Sequence, residues 1–176
     1  MIRTRAGFTL IELLMSLAIL TLLAGLAAPA MGRLLTHTSV SSAHNLVMAG
    51  FATARLHAVS HGHAVTVCPG DPQRGCLAGG RWEGGWLLFV DRNDDDAFDA
   101  NDTLLRTEDA VSPRLSIRSS ASRPRAVFHP NGMSGGANLT LRICADGAVR
   151  SAVILANSGR ARAATSSELA AMGACG

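Results

Sequence analysis

The chain has 176 residues, which is room for one globular domain and one additional apolar segment. Its 16 basic residues are all arginine, and its net charge is only +3. No C-x-x-C pair, H-E-x-x-H or phosphate-binding loop occurs, so the sequence argues against a zinc protein and against an enzyme with these motifs. The charges are segregated, because residues 71–110 carry ten acids and four arginines, whereas residues 111–176 carry eight arginines and two acids. Such asymmetry fits either a face that meets a polyanion or two regions that neutralise each other.

The N-terminal segment, residues 8–31, is almost entirely apolar and at 24 residues is long enough to cross a bilayer. Arg3 and Arg5 precede it, so the positive-inside rule predicts a cytoplasmic N-terminus and an exported remainder. We expect Pro29 to kink or interrupt the helix. Glu12 is the anomaly, since a carboxylate inside a bilayer costs roughly 2.5–3.5 kcal/mol.

Residues 33–61 predict an amphipathic helix that continues from the apolar segment. One apolar stripe recurs at helical spacing, formed by Val40, Ala43, Val47, Phe51, Ala54 and Ala58. Gly62 is a plausible C-cap.

The rest of the chain alternates with period two and predicts short strands. They are expected at residues 64–68, 85–91, 103–107, 114–119, 125–130, 139–144 and 148–155. Turn chemistry separates them, and Ala145-Asp146-Gly147 between two alternating runs favours a hairpin. The predicted fold class is α+β, a long N-terminal helix packed on antiparallel sheet.

Four cysteines behind an export-type N-terminus favour disulfides, for which three connectivities exist. We favour Cys68–Cys76, which closes a short loop, and Cys144–Cys175, which fixes the C-terminus. The second bridge would be worth about 3–4 kcal/mol in the chain-entropy model.

The stretch AGFTLIELLMSLAIL resembles the start of type IV prepilins: a basic leader, a glycine, and an acid at the fifth position after the cut. The resemblance implies that a prepilin peptidase cleaves between Gly7 and Phe8 and methylates Phe8. Glu12 would then lie one helical turn from the new ammonium group. In a filament Glu12 could pair with the ammonium of a neighbouring subunit and set its axial register.

An ordinary secretory signal peptide is the alternative interpretation of this N-terminus. Its cleavage site would be Ala28-Pro29-Ala30, which would release a soluble protein beginning at Met31. The apolar run is longer than a usual signal sequence, and this alternative leaves Glu12 unexplained.

Further along, GGWLLFVDRNDDDAFDANDTLLRT resembles a block of the GspH/FimT-type minor pilins and pseudopilins. The resemblance implies a pilin fold with a leader at residues 1–7, a transmembrane and assembly segment at 8–31, and a globular head at 32–176. It also implies a single-pass inner-membrane precursor with a periplasmic head, other pilin subunits as partners, and a final location in a pilus at the cell surface.

The acidic segment at residues 91–102 matches part of an EF-hand loop, with oxygen-bearing side chains at positions 1, 3, 5, 9 and 12. It departs from the motif at position 6, where Asp96 replaces glycine, and at position 12, where Asp102 replaces glutamate. The flanks also predict strands rather than helices. From the sequence we therefore expect a solvated acidic hairpin, with no metal and no cofactor.

The C-terminal tail contains Gly159-Arg160-Ala161-Arg162, and residues two apart in an extended segment project to the same side. Arg160 and Arg162 would be about 7 Å apart, a spacing that suits successive phosphates of duplex DNA. This tail resembles one implicated in DNA uptake in FimT-type minor pilins. Supporting arginines could come from the remainder of the basic half: Arg142 and Arg150 first, then Arg114, Arg118, Arg123 and Arg125.

We therefore expect a minor pilin that binds double-stranded DNA non-specifically through Arg160 and Arg162 and has no catalytic residues. The main alternative is a GspH-type pseudopilin of a type II secretion system, with a purely structural role.

Overall fold

In the computed structural model the first element is a helix, α1, that runs without a break from Leu10–His61. The structure describes residues 9–120, 122–136 and 138–175, without the side chains of residues 26 and 28–30. The expected interruption at Pro29 is wrong, because helical backbone continues on both sides of it. A proline removes its own N–H donor and crowds the carbonyl four residues before it, but here the backbone before and after it stays helical. The helix ends as expected at Gly62, which has φ +71° and donates its N–H to the carbonyl of Ala58 at 3.0 Å.

The chain divides into two compact units, and the division falls inside α1 between His37 and Thr38. In the first unit, the described residues of α1 expose large apolar side chains such as Leu10, Ile11 and Leu22. Within the part of the chain that the structure describes, no helix qualifies by length and hydropathy as a candidate membrane span.

The second unit contains the hydrophobic core, and α1 contributes one face to it. All six residues of the predicted apolar stripe are buried there: Val40, Ala43, Val47, Phe51, Ala54 and Ala58. Phe51 packs against Phe128 and edge-on against Trp82, with ring centroids 5.9 and 6.4 Å apart. Because the residues of this stripe are three or four positions apart, the helix covers the sheet with apolar surface and leaves its other face in solvent.

Within the described residues, nine strands and a short helix follow α1. Their bounds are β1 Ala64–Asp71, β2 Gly75–Cys76, β3 Trp86–Asp91, β4 Thr103–Glu108, β5 Leu115–Arg118, β6 Ala126–Phe128, β7 Leu139–Ala145, β8 Ala148–Leu155, β9 Ala161–Ala163 and α2 Ser166–Ala171. The seven strands expected from the sequence are all present with small shifts at their ends. The strands β2 and β9 and the helix α2 were not predicted.

The strands form two antiparallel sheets. The first has the order β2-β1-β3-β4, with β6 also paired to β1. The second has the order β5-β7-β8-β9. Strands β1 and β3 are buried along nearly their whole length, whereas β7 alternates between buried and half-buried residues. The second sheet therefore has one face on the core and one face directed away from it. The α+β fold class is confirmed.

Both disulfides join the pairs favoured from the sequence. Cys68–Cys76 closes the β1–β2 turn, and Cys144–Cys175 ties the C-terminal segment to β7. The backbone reinforces the second link, since Ala174 pairs with Ala148 and Cys175 donates its N–H to the carbonyl of Gly147. The C-terminus thus returns to the hairpin between β7 and β8.

Candidate nucleic-acid interface

The turn between β8 and β9 places the two predicted arginines, and Gly159 makes that turn. Gly159 is buried at φ +75°, a conformation that favours glycine. A Cβ at this position would overlap the carbonyl oxygen of Gly132. Arg55 of α1 donates to the same oxygen at 3.0 Å, and Ser134 donates its N–H to Asn157 at 2.8 Å. The glycine therefore lets the turn dock against the loop at residues 129–134, and no contact of Gly159 with a nucleic acid is needed to explain it.

The strand register assigns Arg162 to one side of the second sheet, and Arg160 lies immediately before β9, where its carbonyl accepts from the N–H of Ala156 at 3.0 Å. Arg162 lies opposite Ile154 on β8, and Ala161 between the two arginines packs on the core. Side chains alternate along an extended strand, so Arg162 faces away from the core, and the same alternation continued one residue before β9 puts the exposed Arg160 on that side. We call this side of the second sheet its outer face.

Arg142 shares the outer face. It pairs with Ala152, two residues along β8 from the residue opposite Arg162, and its neighbours Leu141 and Ile143 point into the core. Two inter-strand steps and a two-residue offset separate the backbones of Arg142 and Arg162 by roughly 12 Å. Among the described residues, the side chains of Arg142 and Arg160 have no hydrogen-bond or ion-pair partner. They are therefore available to an external anion.

Arg162, in contrast, is engaged within the chain. Its guanidinium forms a two-pronged ion pair with Glu168 of α2, with Nη1 to Oε2 at 2.8 Å and Nη2 to Oε1 at 2.6 Å. The hydrogen bonds from Arg162 lower the pKa of Glu168 to about 2, and the backbone N–H of Thr165 adds to this effect. The same carboxylate raises the pKa of Arg162. The Arg162 charge is thus compensated within the chain.

Glu168 holds this position because α2 begins with a capping box. Thr165 is the N-cap, its side chain accepts from the N–H of Glu168, and the Glu168 carboxylate accepts from the N–H of Thr165 at 2.8 Å. Glu168 was not predicted as part of this site, although Thr-x-x-Glu at residues 165–168 is the sequence signature of a capping box.

The remaining arginines of the basic half are distributed over several places. Arg150 is the extra residue of a bulge, because its neighbours Val149 and Ser151 pair with consecutive residues of β7. It lies at the far end of β8 from the β8–β9 turn, and its nearest acid is Asp146 at 3.7 Å. Arg118 forms an ion pair with Glu83. These residues do not join Arg160 and Arg162.

Three further arginines have roles elsewhere or none that the structure shows. Arg123 donates to Ser134 at 2.9 Å, and burial lowers its pKa. Arg125 donates to the backbone carbonyl of Asp96. Arg114 is exposed at the start of β5. The candidate interface is therefore smaller than the basic half of the sequence suggests.

At the N-terminus, the predicted processing residues Gly7 and Phe8 lie outside the described residues. Glu12 is described, and it caps the start of α1. Its carboxylate accepts from the backbone N–H of Thr9 at 2.9 Å, and its own N–H donates to the Thr9 hydroxyl at 3.3 Å. This is the reciprocal pattern of a capping box, so Glu12 satisfies backbone groups in the uncleaved chain.

Comparison with known proteins defines the class. Residues 2–28 match the model of the prokaryotic N-terminal methylation motif. Two crystal structures of the type IV minor pilin FimU of Pseudomonas aeruginosa strain PAO1 share the fold. One superposes with a TM-score of 0.58 at 22% identity, over 72% of this chain and 94% of that chain. The other gives 0.61 at 21% identity, over 74% and 92%. No curated protein matches the sequence significantly.

The fold and the N-terminal motif thus define a type IV pilin-like subunit, a class of structural proteins rather than enzymes. Residues 43–159, well over half of the chain, match the family model described as type II transport protein GspH. The chain belongs to this GspH family of minor pilins and pseudopilins.

Proposed function

We propose that this protein is a minor type IV pilin of the FimT class that binds extracellular double-stranded DNA through the outer face of its second sheet. The observation that supports this most is the placement of Arg160. It is exposed, has no partner among the described residues, and lies on the same side as Arg162 and Arg142. Guanidinium groups bind phosphate with two parallel hydrogen bonds, which suits this arrangement to a nucleic-acid backbone.

The chemistry of the outer face favours duplex backbone over bases. Strands β7, β8 and β9 contain no aromatic residue, so nothing on them can stack on unpaired bases. No element of the outer face is a helix of a length that could enter a major groove, since α2 has six residues. Binding should therefore be independent of sequence and strongly weakened by salt.

For the precursor, we propose cleavage between Gly7 and Phe8 by prepilin peptidase, methylation of Phe8, and residence in the inner membrane with residues 8–31 as the anchor. The cytoplasm would hold the N-terminus and the periplasm the head, before assembly into a pilus with other pilin subunits. The methylation-motif match over residues 2–28 supports this order of events. Mass spectrometry of the mature chain tests it, because N-methylated Phe8 agrees with the proposal and a chain that begins at Met31 contradicts it.

The DNA-binding proposal is tested with the full chain in detergent micelles and a fluorescent duplex, by titration at several salt concentrations. Arg160→Ala combined with Arg162→Ala should weaken binding and reduce the salt slope by about 0.9, the share of the Arg160 contact, because Glu168 already compensates Arg162. The matched control is Arg74→Ala with Arg81→Ala. These two arginines are exposed and lie at other sites, and their loss changes the net charge equally. Circular dichroism should show that both variants stay folded.

If the first pair of substitutions leaves binding unchanged, or if the control pair weakens it as much, the proposal is wrong. A wild-type chain that binds no duplex at low salt would favour the second candidate, a structural pseudopilin of a type II secretion system. The description of the matching family model is the observation that favours this candidate.

A further inference from the structure

The loop between β3 and β4, residues 91–102, concentrates negative charge. It contains six aspartates and a single arginine. In unfolded water-exposed chain these charges are screened, but folding the loop into a tight connection brings them together. The sequence favours a solvated hairpin for this loop, because it departs from the EF-hand pattern at Asp96 and Asp102.

The backbone at Asp96 accounts for the first departure, which is the absence of glycine at the sixth position. An EF-hand loop needs a sharp turn at its sixth position, where glycine is usual. Here Asp96 makes that turn at φ 59°, and Asp94 is also left-handed at φ 56°. Aspartate tolerates this conformation better than most residues. The backbone shape therefore does not depend on glycine in this loop.

Asp91, at the first position, provides the independent evidence for a ligand. It ends β3 and is only 3% exposed. Its Oδ2 accepts from the N–H of Asp96 at 2.8 Å, which directs the carboxylate into the loop. Its Oδ1 is buried and has no hydrogen-bond partner. A buried carboxylate oxygen without a partner is costly.

The other oxygen donors occupy the sequence positions of the ligands in an EF-hand loop, but their side chains do not converge on one point. Asp95 accepts from Ala97 at 2.8 Å, and Asp99 accepts from Asn101 at 2.6 Å. Asp102 accepts from Arg92 and Asp99 at 3.1 and 3.0 Å. Within the described residues, no three acidic, histidine or cysteine side chains already surround a metal position. A carboxylate oxygen can accept a backbone N–H and still ligate a cation, so the loop must contract on binding.

We propose that residues 91–102 form a calcium site. Asp91, Asn93, Asp95 and Asp99 would provide side-chain oxygens, Ala97 its carbonyl oxygen, and Asp102 the closing carboxylate. Calcium is favoured over transition metals because all of these ligands are oxygens. Asp102 is shorter than the usual glutamate, which weakens the site and places its Kd in the range of extracellular modules, about 10⁻⁴–10⁻³ M.

One side chain of the loop connects the proposed site with the packed interior of the head. Phe98 lies in the middle of the loop and packs against Phe89 of β3 with ring centroids 5.2 Å apart. It also packs with the cluster that contains the Cys68–Cys76 bridge. Contraction of the loop should therefore stabilise this end of the first sheet, and calcium should raise the melting temperature of the head.

The test uses the full chain in detergent micelles, freed of metal with a chelator, and calcium chloride as the only probe. Calorimetry should give one site with a Kd of about 10⁻⁴–10⁻³ M, and thermal unfolding should shift upward. Asp99→Asn removes an exposed ligand, and Asp91→Asn removes the buried one. Each substitution should raise the Kd for calcium at least tenfold. Asp109→Asn, an exposed aspartate beyond the end of β4, should not change it.

The outcomes separate cleanly. Absence of heat and of a thermal shift at about 10 mM calcium, tenfold above the weakest Kd expected, would overturn the proposal. So would equal shifts with magnesium and calcium, or equal losses in Asp99→Asn and Asp109→Asn, because these would indicate screening of charge rather than a site. Neither result depends on whether the protein binds DNA.

Discussion

Replacement of Glu168 by glutamine should strengthen DNA binding. Glu168 occupies both prongs of the Arg162 guanidinium, so a phosphate that approaches Arg162 must first displace a carboxylate. Glutamine has the same shape without the charge. It can also serve at the third position of a capping box, so α2 should remain folded on Thr165. The substitution therefore tests the charge of the ion pair with little change in structure.

The expected size follows from counterion release. Each phosphate contact contributes about 0.9 to the slope of log K against log salt. If Glu168 compensates Arg162 in the native chain, its removal adds about one full contact. Taking the salt-dependent part of binding to vanish near about 1 M, affinity should rise up to about 15-fold at 50 mM salt and about 4-fold at 200 mM. Acidification does not mimic the variant, because the pKa of Glu168 is held at about 2 by Arg162.

The assay is fluorescence anisotropy with a labelled duplex at those two salt concentrations. Asp146→Asn is the matched control, since it removes one negative charge from the head beside Arg150, at the far end of β8. It should change affinity little. If Glu168→Gln binds DNA as tightly as the native chain or more weakly, Glu168 orients Arg162 rather than competing with DNA. An equal gain of DNA affinity in Asp146→Asn would show that the effect comes from net charge alone.

Four further predictions concern stability, titration and assembly. Gly159→Ala should cost about 1–2 kcal/mol from the left-handed backbone alone, and more from overlap with the facing turn, measured by chemical denaturation. Cys144→Ser with Cys175→Ser should cost about 3–4 kcal/mol by the loop-entropy model, measured in the same way. Burial and neighbouring imidazoles lower the pKa of His57 from 6.5, so the unfolded state binds the proton more readily and the melting temperature should fall below about pH 6.5; His57→Gln should flatten this decline. Glu12→Ala should still be cleaved but should enter filaments poorly, as measured by immunoblot of sheared pili, and normal incorporation would contradict our interpretation of this residue.

Much of the fold could be predicted because hydrophobic period carries the information. The stripe from Val40 to Ala58 repeats at helical spacing, and every one of its residues is buried on the sheet. The period-two pattern at residues 139–144 likewise predicted a strand, and most residues of β7 alternate between buried and half-buried. These patterns are local, so one sequence suffices to read them.

Pro29 and β9 show where local reasoning failed. Proline's low intrinsic propensity predicted an interruption, but the helix on both sides continues through it. The three residues of β9 have no strand propensity of their own, and they are extended because Val153–Leu155 of β8 pair with them. Pairing partners are distant information that propensity does not contain.

The candidate interface was predictable in position but not in charge state. Alternation predicts that Arg160 and Arg162 share one side, and Ala161 between them packs on the core. Nothing in the spacing of arginines shows that Arg162 is compensated, because that depends on Glu168 in a helix that returns toward the strand. The capping signature at Thr165 was the available signal.

The bridge between Cys144 and Cys175 has a consequence for survival outside the cell. It closes a covalent ring around β8, the β8–β9 turn, β9 and α2, which includes both tail arginines. The turn at Asn157 and Ser158 is exposed and is a natural place for a protease to cut. A single cut there would leave both fragments joined through sulfur and held in the same sheet. The chain could therefore be nicked once without releasing Arg160 and Arg162 from the head.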